Sequence, residues 1–413
     1  MTARRLTAVD AQMLWLSAAT PNDQFLLYGF AASVDPAPAQ AAVHGEAARC
    51  AELTVRVRDR GPWRYPVWER CDLDAEQFVV HEGTTWAGVL AMVTALADVQ
   101  VDPQVHPWRL HVFPVVEQLP GVGAGSVAVL QVSHALADGG RASALAARLF
   151  GRSSALSPVM PRATSGFARK SAAAARAHRT LIADTGAGLV PPPAVSCPVL
   201  HSNTRPTGAV AVRTLVCRRG ELTGPTVTVA ALTAISAALA DQLRALGDDT
   251  AHLRAELPMA KTGARRANNH FGNVGVGLYP HLPRERRAHA IAQDLHRRRR
   301  RASHPAMAAQ DAAFAAVPAA LLRWGMSQFD PEQRPPTVIG NTVVSSVNRG
   351  PADLSFGGAP VVLTAGFPAL SPMMGVTHGV HGIGETVVIS VHAAESAIGD
   401  VDAYVERLAR ELG

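Results

Sequence analysis

Apolar residues recur along the first part of the chain with two different spacings. Residues 6–15 and 86–99 place them at the three- and four-residue intervals of a helix. Residues 24–34, 110–116 and 126–132 are rich in β-branched and aromatic side chains, as strands are. Strands that alternate with helices predict a layered α/β (α+β) lobe.

The same alternation returns in the second half of the chain, after a segment of different character. Residues 152–206 are rich in Pro, Ser and Ala, and Pro191, Pro192 and Pro193 fit neither a helix nor a central strand. Further on, strand patterns cover residues 209–217, 338–347, 361–364 and 386–392, and helical patterns cover 227–246 and 401–412. We predict an N-terminal lobe over residues 1–160, a linker with an Ala/Arg-rich helix and a Pro-rich segment over 161–206, and a C-terminal lobe over 207–413.

Length and composition support a globular protein with large cores. The chain has 413 residues, of which 48% are hydrophobic and 17% charged, so it is neither a disordered polyelectrolyte nor a miniprotein. Its net charge is +6, and Lys170 and Lys261 are the only lysines among its basic residues. Because no basic stripe is interleaved with stacking aromatics, we do not expect nucleic-acid binding.

The cysteines and the hydropathy of the sequence indicate the cellular compartment. The four cysteines show no C-x-x-C spacing and no nearby His cluster, so we expect neither a metal site nor a disulfide framework. No apolar run approaches the 18 residues of a membrane span. We expect a cytoplasmic protein whose contact with a membrane is at most peripheral.

Two basic segments each allow two interpretations. The helix predicted over residues 167–184 carries Arg169, Lys170, Arg176 and Arg179, which form either a solvated face or a contact with anionic lipid. Residues 297–301 are five consecutive arginines. They either complement the C-terminal dipole of a helix or attract the phosphates of coenzyme A or of a phosphopantetheine arm.

The strongest chemical signal follows the strand at residues 126–132. There Ser133 and His134 are followed by Asp138, Gly139 and Gly140, ahead of a helix predicted over residues 141–150. An imidazole at the end of a strand suits a general base that takes a proton from an attacking alcohol, amine or thiol. Asp138 either holds the turn by bonding backbone N–H groups or an arginine, or supports the imidazole directly. The two glycines allow a tight turn with positive φ.

Several segments resemble the wax ester synthase/diacylglycerol acyltransferase (WS/DGAT) family, within the superfamily of chloramphenicol acetyltransferase and condensation domains. The segment from Ser133 to Gly139 is similar to the family's H-H-x-x-x-D-G motif. The other similar segments, in chain order, are Leu6-Thr7-Ala8-Val9-Asp10-Ala11 (L-S-x-x-D-A), His106-Pro107-Trp108-Arg109-Leu110 (R-P-L-W), Leu257-Pro258-Met259 (P-V-S), Phe271-Gly272-Asn273 (G-N) and Ser345-Ser346-Val347-Asn348-Arg349-Gly350-Pro351 (S-N-V-P-G-P).

The resemblance implies a pseudo-dimer of two chloramphenicol-acetyltransferase-like lobes with a tunnel between them. It implies an O-acyltransferase of lipid or specialised metabolism that moves an acyl group from a coenzyme A or carrier-protein thioester to an alcohol or amine acceptor. His134 matches the second, catalytic His of the family motif, and the acceptor attacks the thioester directly, without a covalent acyl-enzyme. Neither a metal nor a bound cofactor is implied; acyl-CoA or an acyl-phosphopantetheine carrier is a substrate.

Other positions depart from the family pattern or are assigned by resemblance alone. Ser133 replaces the first His of the motif, Thr228 and Val229 stand where the family has Asn-Asp, and Ser346 replaces the Asn of the S-N-V-P-G-P turn. Two alternatives therefore stay open: a non-catalytic acyl- or carrier-binding relative, and a condensation-type enzyme of specialised metabolism. By resemblance, Arg56 pairs with Asp138; the alternative is a plain surface arginine. Asn273 and Ser346 are candidates for contacts with the oxyanion or the substrate; the alternative is that they stabilise turns by hydrogen bonding.

Overall fold

The computed structural model describes residues 3–153 and 155–413, which form two lobes. The helices are α1 (Ala8–Ser17), α2 (Pro36–Ala48), α3 (Trp86–Leu96), α4 (Gly139–Leu149), α5 (Phe167–Gly186), α6 (Val227–Ala245), α7 (Arg284–Ala302), α8 (Pro305–Phe314), α9 (Ala319–Ser327), α10 (Glu395–Ile398) and α11 (Val401–Leu412). The strands are β1 (Arg4–Arg5), β2 (Gln24–Phe30), β3 (Val55–Arg58), β4 (Val67–Arg70), β5 (Phe78–Val80), β6 (Thr84–Thr85), β7 (Trp108–Leu119), β8 (Gly123–Val132), β9 (Cys197–Pro198), β10 (Val210–Arg218), β11 (Arg254–Ala260), β12 (Phe271–Gly277), β13 (Thr337–Val338), β14 (Thr342–Asn348), β15 (Ser355–Phe356), β16 (Ala359–Gly366), β17 (Val376–Ile383) and β18 (Thr386–Ala394).

The sheet of the first lobe is buried on both faces. Its strand order is β15-β16-β2-β8-β7-β5, with β6 paired to β7. On one face, Leu26 and Leu130 pack in a core beneath α2 and α4. The alternate residues Leu27 and Val129 face α3 and the second-lobe residue Val388. Successive side chains of a strand point to opposite faces, so the continuous apolar run of β8 supplies both cores.

The second lobe repeats this plan with a partly parallel sheet. Its strand order is β10-β18-β17-β14-β11-β12, in which β14 runs parallel to both β11 and β17. Helices α6, α7 and α11 contribute Leu239, Ile291 and Leu408 to its core. The two-lobed layered α/β fold expected from the sequence is thus the fold of this chain.

Two strands of the first-lobe sheet, β15 and β16, come from late in the chain, beyond the boundary predicted at residue 207. The stretch 361–364 is a strand, as expected, but it belongs to β16, which pairs antiparallel with β2. Ala365 lies opposite Leu27 in this pairing. An edge strand exposes unpaired N–H and C=O groups, and β16 pairs with those of β2. The order of apolar segments cannot show which sheet a strand will join.

The linker is docked on the second lobe. Helix α5 packs against α8, and β9 pairs with β13. Arg298 donates to the carbonyl of Pro192, and Arg301 donates to that of Pro191 at 2.8 Å. These two arginines of the five-arginine run therefore hold the Pro-rich segment in place rather than facing a phosphate.

Within the described residues, no single helix is long and apolar enough to cross a membrane. The consecutive helices α8 and α9 pass the same test of length and composition only as a pair, and they are bent by 95° to one another. The predicted basic helix is α5, on which Arg169, Arg176 and Arg179 are exposed.

Candidate active site

His134 lies in the turn that joins β8 to α4. The turn begins directly after Val132, and the amide of Leu136 donates to the carbonyl of Ser133. Asp138 then caps α4, because its carboxylate accepts from the backbone N–H of Arg141 at 2.8 Å. A side chain that caps a helix satisfies one of its free N–H groups, so the local sequence positions His134 between a strand and a helix.

A single asparagine from the second half of the chain orients the imidazole. The Nδ1 atom of His134 lies 2.8 Å from Oδ1 of Asn269. The amide nitrogen of Asn269 donates to the carbonyl of His134 at 2.7 Å and to a carboxylate oxygen of Asp10 at 3.0 Å. These two acceptors fix the amide orientation, so Oδ1 faces the ring and Nδ1 carries the proton. The Nε2 atom of His134 is left as a proton acceptor.

The buried carboxylate of Asp10 holds the segment that carries this asparagine. It accepts from the backbone N–H groups of Asn268 at 3.1 Å and Asn269 at 2.9 Å, and from the hydroxyl of Thr7 at 2.8 Å. Burial raises the pKa of Asp10 despite these bonds, which by themselves lower it. Asp10 thereby ties the first helix of the chain to the loop between β11 and β12.

The surroundings of His134 favour its neutral form. Burial lowers the pKa of the imidazole, whereas the hydrogen bond to Asn269 and the charges of Asp138 and Asp10 partly oppose that shift. Because the net direction is downward from 6.5, the ring is unprotonated at neutral pH. A neutral imidazole with a free Nε2 can accept a proton.

Asp138 pairs with Arg265, so the predicted pairing with Arg56 is wrong. Nη1 of Arg265 lies 2.8 Å from one carboxylate oxygen and Nη2 lies 3.2 Å from the other. The backbone N–H of His270 donates to the same carboxylate at 2.8 Å. Burial raises the pKa of Asp138, but Arg265 and the N–H groups of Arg141 and His270 outweigh burial and lower it.

Arg56 lies elsewhere, on the solvent-facing side of β3. It is directly opposite Glu69 of β4, and its Nε atom is 2.9 Å from that carboxylate. Cross-strand neighbours of opposite charge pair readily, so strand register assigns Arg56 to Glu69.

The remaining motif residues shape the turn. Ser133 is buried, its N–H donates to the carbonyl of Pro107, and its hydroxyl accepts from the N–H of Ala135 at 3.3 Å. Neither Gly139 nor Gly140 has a positive φ, contrary to the possibility that the sequence left open. A Cβ at Gly139 would lie 3.6 Å from a methyl group of Val347, which is an ordinary contact. This glycine lies where the first lobe meets β14 of the second.

The two residues proposed for oxyanion or substrate contacts occupy different places. The hydroxyl of Ser346 lies 2.8 Å from that of Thr228, so two positions that depart from the family pattern meet in space. Asn273 is exposed, and its amide donates to Glu256 at 2.6 Å. Phe271, two residues earlier on β12, has its ring 5.7 Å from that of His134.

Sequence reasoning missed three residues that hold the motif: Asp10, Arg265 and Asn269. Asp10 lies within the opening segment whose resemblance was noted, but without a role. Only His270 separates Asn269 from the Phe271-Gly272-Asn273 segment. The adjacent pair Asn268-Asn269 beside a motif segment is the sequence signal that could have identified it. In the described ranges, His, Cys, Asp and Glu side chains form no cluster of three or more that could hold a metal ion.

The two lobes form a chloramphenicol-acetyltransferase-like fold, and solved structures share it. The wax ester synthase/diacylglycerol acyltransferase from Marinobacter aquaeolei VT8 superposes with a TM-score of 0.63 at 18% identity, covering 99% of this chain and 98% of that one. The starter condensation domain of rhizomide synthetase RzmA, as a mutant in complex with C8-CoA and Leu-SNAC, gives a TM-score of 0.59 at 15% identity, covering 100% and 93%. The same domain with C8-CoA alone gives 0.58.

The family comparison matches the last third of the chain, residues 268–413. This segment fits the family model of the WS/DGAT C-terminal domain. It begins at Asn268 and so includes Asn269, which orients His134. No curated protein matches the chain in the corresponding sequence search.

Proposed function

We propose that this protein is an acyltransferase that moves an acyl group from a coenzyme A or carrier-protein thioester to an acceptor, an alcohol if it acts as an O-acyltransferase or else an amine. The observation that carries the proposal is the orientation of His134, whose Nδ1 donates to Asn269 and whose Nε2 remains a proton acceptor. The WS/DGAT match and the shared fold support the same reaction class. A related condensation domain has been solved with C8-CoA, which supports an acyl thioester as donor.

The proposed reaction is a direct transfer. Nε2 of His134 takes the proton from the acceptor O–H or N–H while the acceptor oxygen or nitrogen attacks the thioester carbonyl. The tetrahedral intermediate then collapses, the C–S bond breaks, and the imidazolium returns the proton to the departing thiolate. Protons balance over the cycle and no covalent acyl-enzyme forms.

Asp138 serves this proposed reaction as a positioning residue. Its carboxylate is occupied by Arg265 and by the N–H groups of Arg141 and His270. It thereby holds the start of α4 and the loop that carries Asn269 in one arrangement. This supports the first of the two roles considered for Asp138, the structural one.

The test is thiol release from a panel of acyl-CoA donors, with and without alcohol and amine acceptors. We expect His134→Ala to lower kcat by about two to four orders of magnitude with little change in donor binding, because a general base acts in the transition state. His252→Ala is the control, since His252 is exposed. Acceptor-dependent thiol release that survives His134→Ala unchanged would remove this residue from the mechanism. Donor binding without turnover in the unmodified protein would favour the non-catalytic acyl-binding alternative.

We propose the cytoplasm as the site of action, with any membrane contact peripheral. The four cysteines, Cys50, Cys71, Cys197 and Cys217, are all free thiols, as is usual in a reducing compartment. Fractionation of cells that produce the protein tests this proposal. Recovery in the supernatant, or release from membranes by salt, is expected; extraction only by detergent would contradict it.

A further inference from the structure

A second feature of the molecule is a cavity of about 190 Å³ beside the loop that orients His134. Its walls come from the start of α1, the linker near Arg162, the loop between β11 and β12, and the end of α8. Asn269, which bonds Nδ1 of His134, is part of the wall. Asn269 therefore belongs both to the cavity wall and to the hydrogen bond that orients His134.

The lining of this cavity is strongly basic. Arg4, Arg5, Arg162, Lys261 and Arg266 line it, against a single carboxylate, that of Asp311. That carboxylate is paired with Lys261 at 2.7 Å. Four arginines are left without an acidic partner in the lining, and like charges gathered in a concave site raise the local concentration of anions.

Several of the side chains that line the cavity have no hydrogen-bond partner in the protein. Within the described residues, neither Arg4 nor Arg162 makes a side-chain hydrogen bond or ion pair, and Nε of Arg162 and Nε2 of His270 are buried without partners. Arg266 reaches only the carbonyl of Met160, at 3.4 Å. Buried polar groups are normally hydrogen-bonded, and an arginine nitrogen can only donate, so Nε of Arg162 indicates a ligand that accepts hydrogen bonds.

The backbone at the start of helix α1 also favours an anion in the cavity. The residues Thr7, Ala8 and Val9 at the N-terminus of the ten-residue helix α1 line the cavity. The first N–H groups of a helix have no acceptor within it, and the dipole places positive potential there. This helix N-terminus lines the same cavity as the basic side chains and the unpartnered nitrogens.

We infer that this cavity binds phosphate groups of the thioester donor, an assignment that rests on the proposed acyltransfer. Arginine suits phosphate because its fork of N–H donors matches the phosphate oxygens. A cavity of about 150 Å³ holds benzene, so this one has room for a group of diphosphate size and not for a whole nucleotide. The shared chemistry is a phosphate ester or diphosphate, supplied either by coenzyme A or by a separate phosphorylated ligand.

Isothermal calorimetry on the full chain tests the site without turnover, with inorganic pyrophosphate and coenzyme A as probes. We expect the double variant Arg4→Gln/Arg162→Gln to weaken binding of both at least about tenfold, since each arginine offers charge-assisted hydrogen bonds. The matched control is Arg297→Gln/Arg299→Gln, which removes the same charge at two exposed positions of α7. Equal affinities in the wild type and the cavity variant would overturn the site, as would a loss confined to the control. Arg162→Gln alone serves if the double variant does not fold.

Kinetics then separate the two sources of phosphate. If the cavity holds donor phosphates, the double variant raises KM for acyl-CoA about tenfold or more, leaves kcat unchanged, and has no effect on acyl-pantetheine, which lacks phosphate. Pyrophosphate should then compete with acyl-CoA. Pyrophosphate that binds at the cavity without competing would overturn the donor assignment. Binding without any acyltransfer would reject the proposed function while leaving the anion site in place.

Discussion

At the scale of single residues, the tautomer of His134 depends on a side chain 135 residues further along the chain. Asn269 accepts from Nδ1, and its own amide is oriented by Asp10 and by the carbonyl of His134. Three segments distant in sequence therefore decide which nitrogen of one ring is free. This makes Asn269 a positioning residue with a distinct kinetic signature.

We predict that Asn269→Ala lowers kcat about tenfold to a hundredfold with a smaller change in KM for the acceptor, because the imidazole loses its preferred tautomer. The hydrogen bond to Asn269 raises the pKa of His134. Its loss should therefore move the acid limb of the kcat/KM profile to lower pH. Asn273→Ala is the control, since Asn273 contacts Glu256 and not the ring. A fall in kcat with an unmoved pH profile would contradict the tautomer argument.

The ion pair between Asp138 and Arg265 allows a second prediction. In a double-mutant cycle with Asp138→Asn and Arg265→Gln, we expect non-additive changes in the free energy of unfolding, with a coupling of about 1–3 kcal/mol. Urea denaturation at neutral pH measures it. The same cycle with Arg56→Gln in place of Arg265→Gln should be additive within about 0.5 kcal/mol, because Arg56 pairs with Glu69. Coupling in the Arg56 cycle would mean that the two residues do meet.

At the scale of elements, hydrogen bonds from helix α7 hold one part of the linker, and the other part has no such support. Arg301 donates to Thr185 and to the carbonyl of Pro191, and Arg300 donates to that of Leu189. By contrast, residues 155–166 form neither helix nor strand and are mostly exposed. The two parts of the linker should differ in their resistance to proteases.

We predict that limited digestion with a protease of broad specificity first cleaves within residues 155–166 and spares 185–192. Arg301→Ala should open 185–192 to cleavage, whereas Arg299→Ala should not, because Arg299 is exposed. Mass spectrometry of the fragments identifies the sites. Early cleavage at 185–192 in the unmodified protein would show that these hydrogen bonds do not protect the linker.

At the scale of the whole molecule, buried histidines couple stability to pH. Burial lowers the pKa of His378 to about 3 and that of His111 to about 4. Unfolding returns both to about 6.5, so below that pH the unfolded chain binds protons that the folded protein does not. Asp23 opposes this, because burial raises the pKa of its carboxyl to about 6. The downward pKa shifts of the two histidines together exceed the upward shift of Asp23. We therefore expect the free energy of unfolding to fall as the pH falls below about 6.5.

His378 isolates one part of this effect. It is fully buried between Thr342, at 2.8 Å, and the hydroxyl of Tyr404, at 2.6 Å. We predict that between about pH 7 and pH 5 the wild type loses about 2 kcal/mol more free energy of unfolding than His378→Gln does, since Gln cannot be protonated. Urea titrations across this range measure the difference. Parallel pH profiles for the two proteins would contradict the prediction, and His252→Ala, at an exposed position, should follow the wild type.

The linear sequence was enough to predict what depends on neighbouring residues. The period of apolar positions gave the strands and helices around His134, because burial on one or both faces leaves a repeat of two or of three to four. The turn that places His134 at a strand end, and the capping Asp138, are likewise local. The resemblance to WS/DGAT proteins rested on short segments of this kind.

Only the tertiary structure decided which distant groups meet. The local sequence does not show which of the arginines Arg56 and Arg265 pairs with Asp138. The register of β3 and β4 places Arg56 opposite Glu69. The loop after β11 places Arg265 beside Asp138. In the same way β16 completes the first-lobe sheet although it follows most of the second lobe. Hydrogen bonds and ion pairs depend on separations of a few ångströms in space. The order of residues does not show which groups hundreds of positions apart come within that distance when the chain folds.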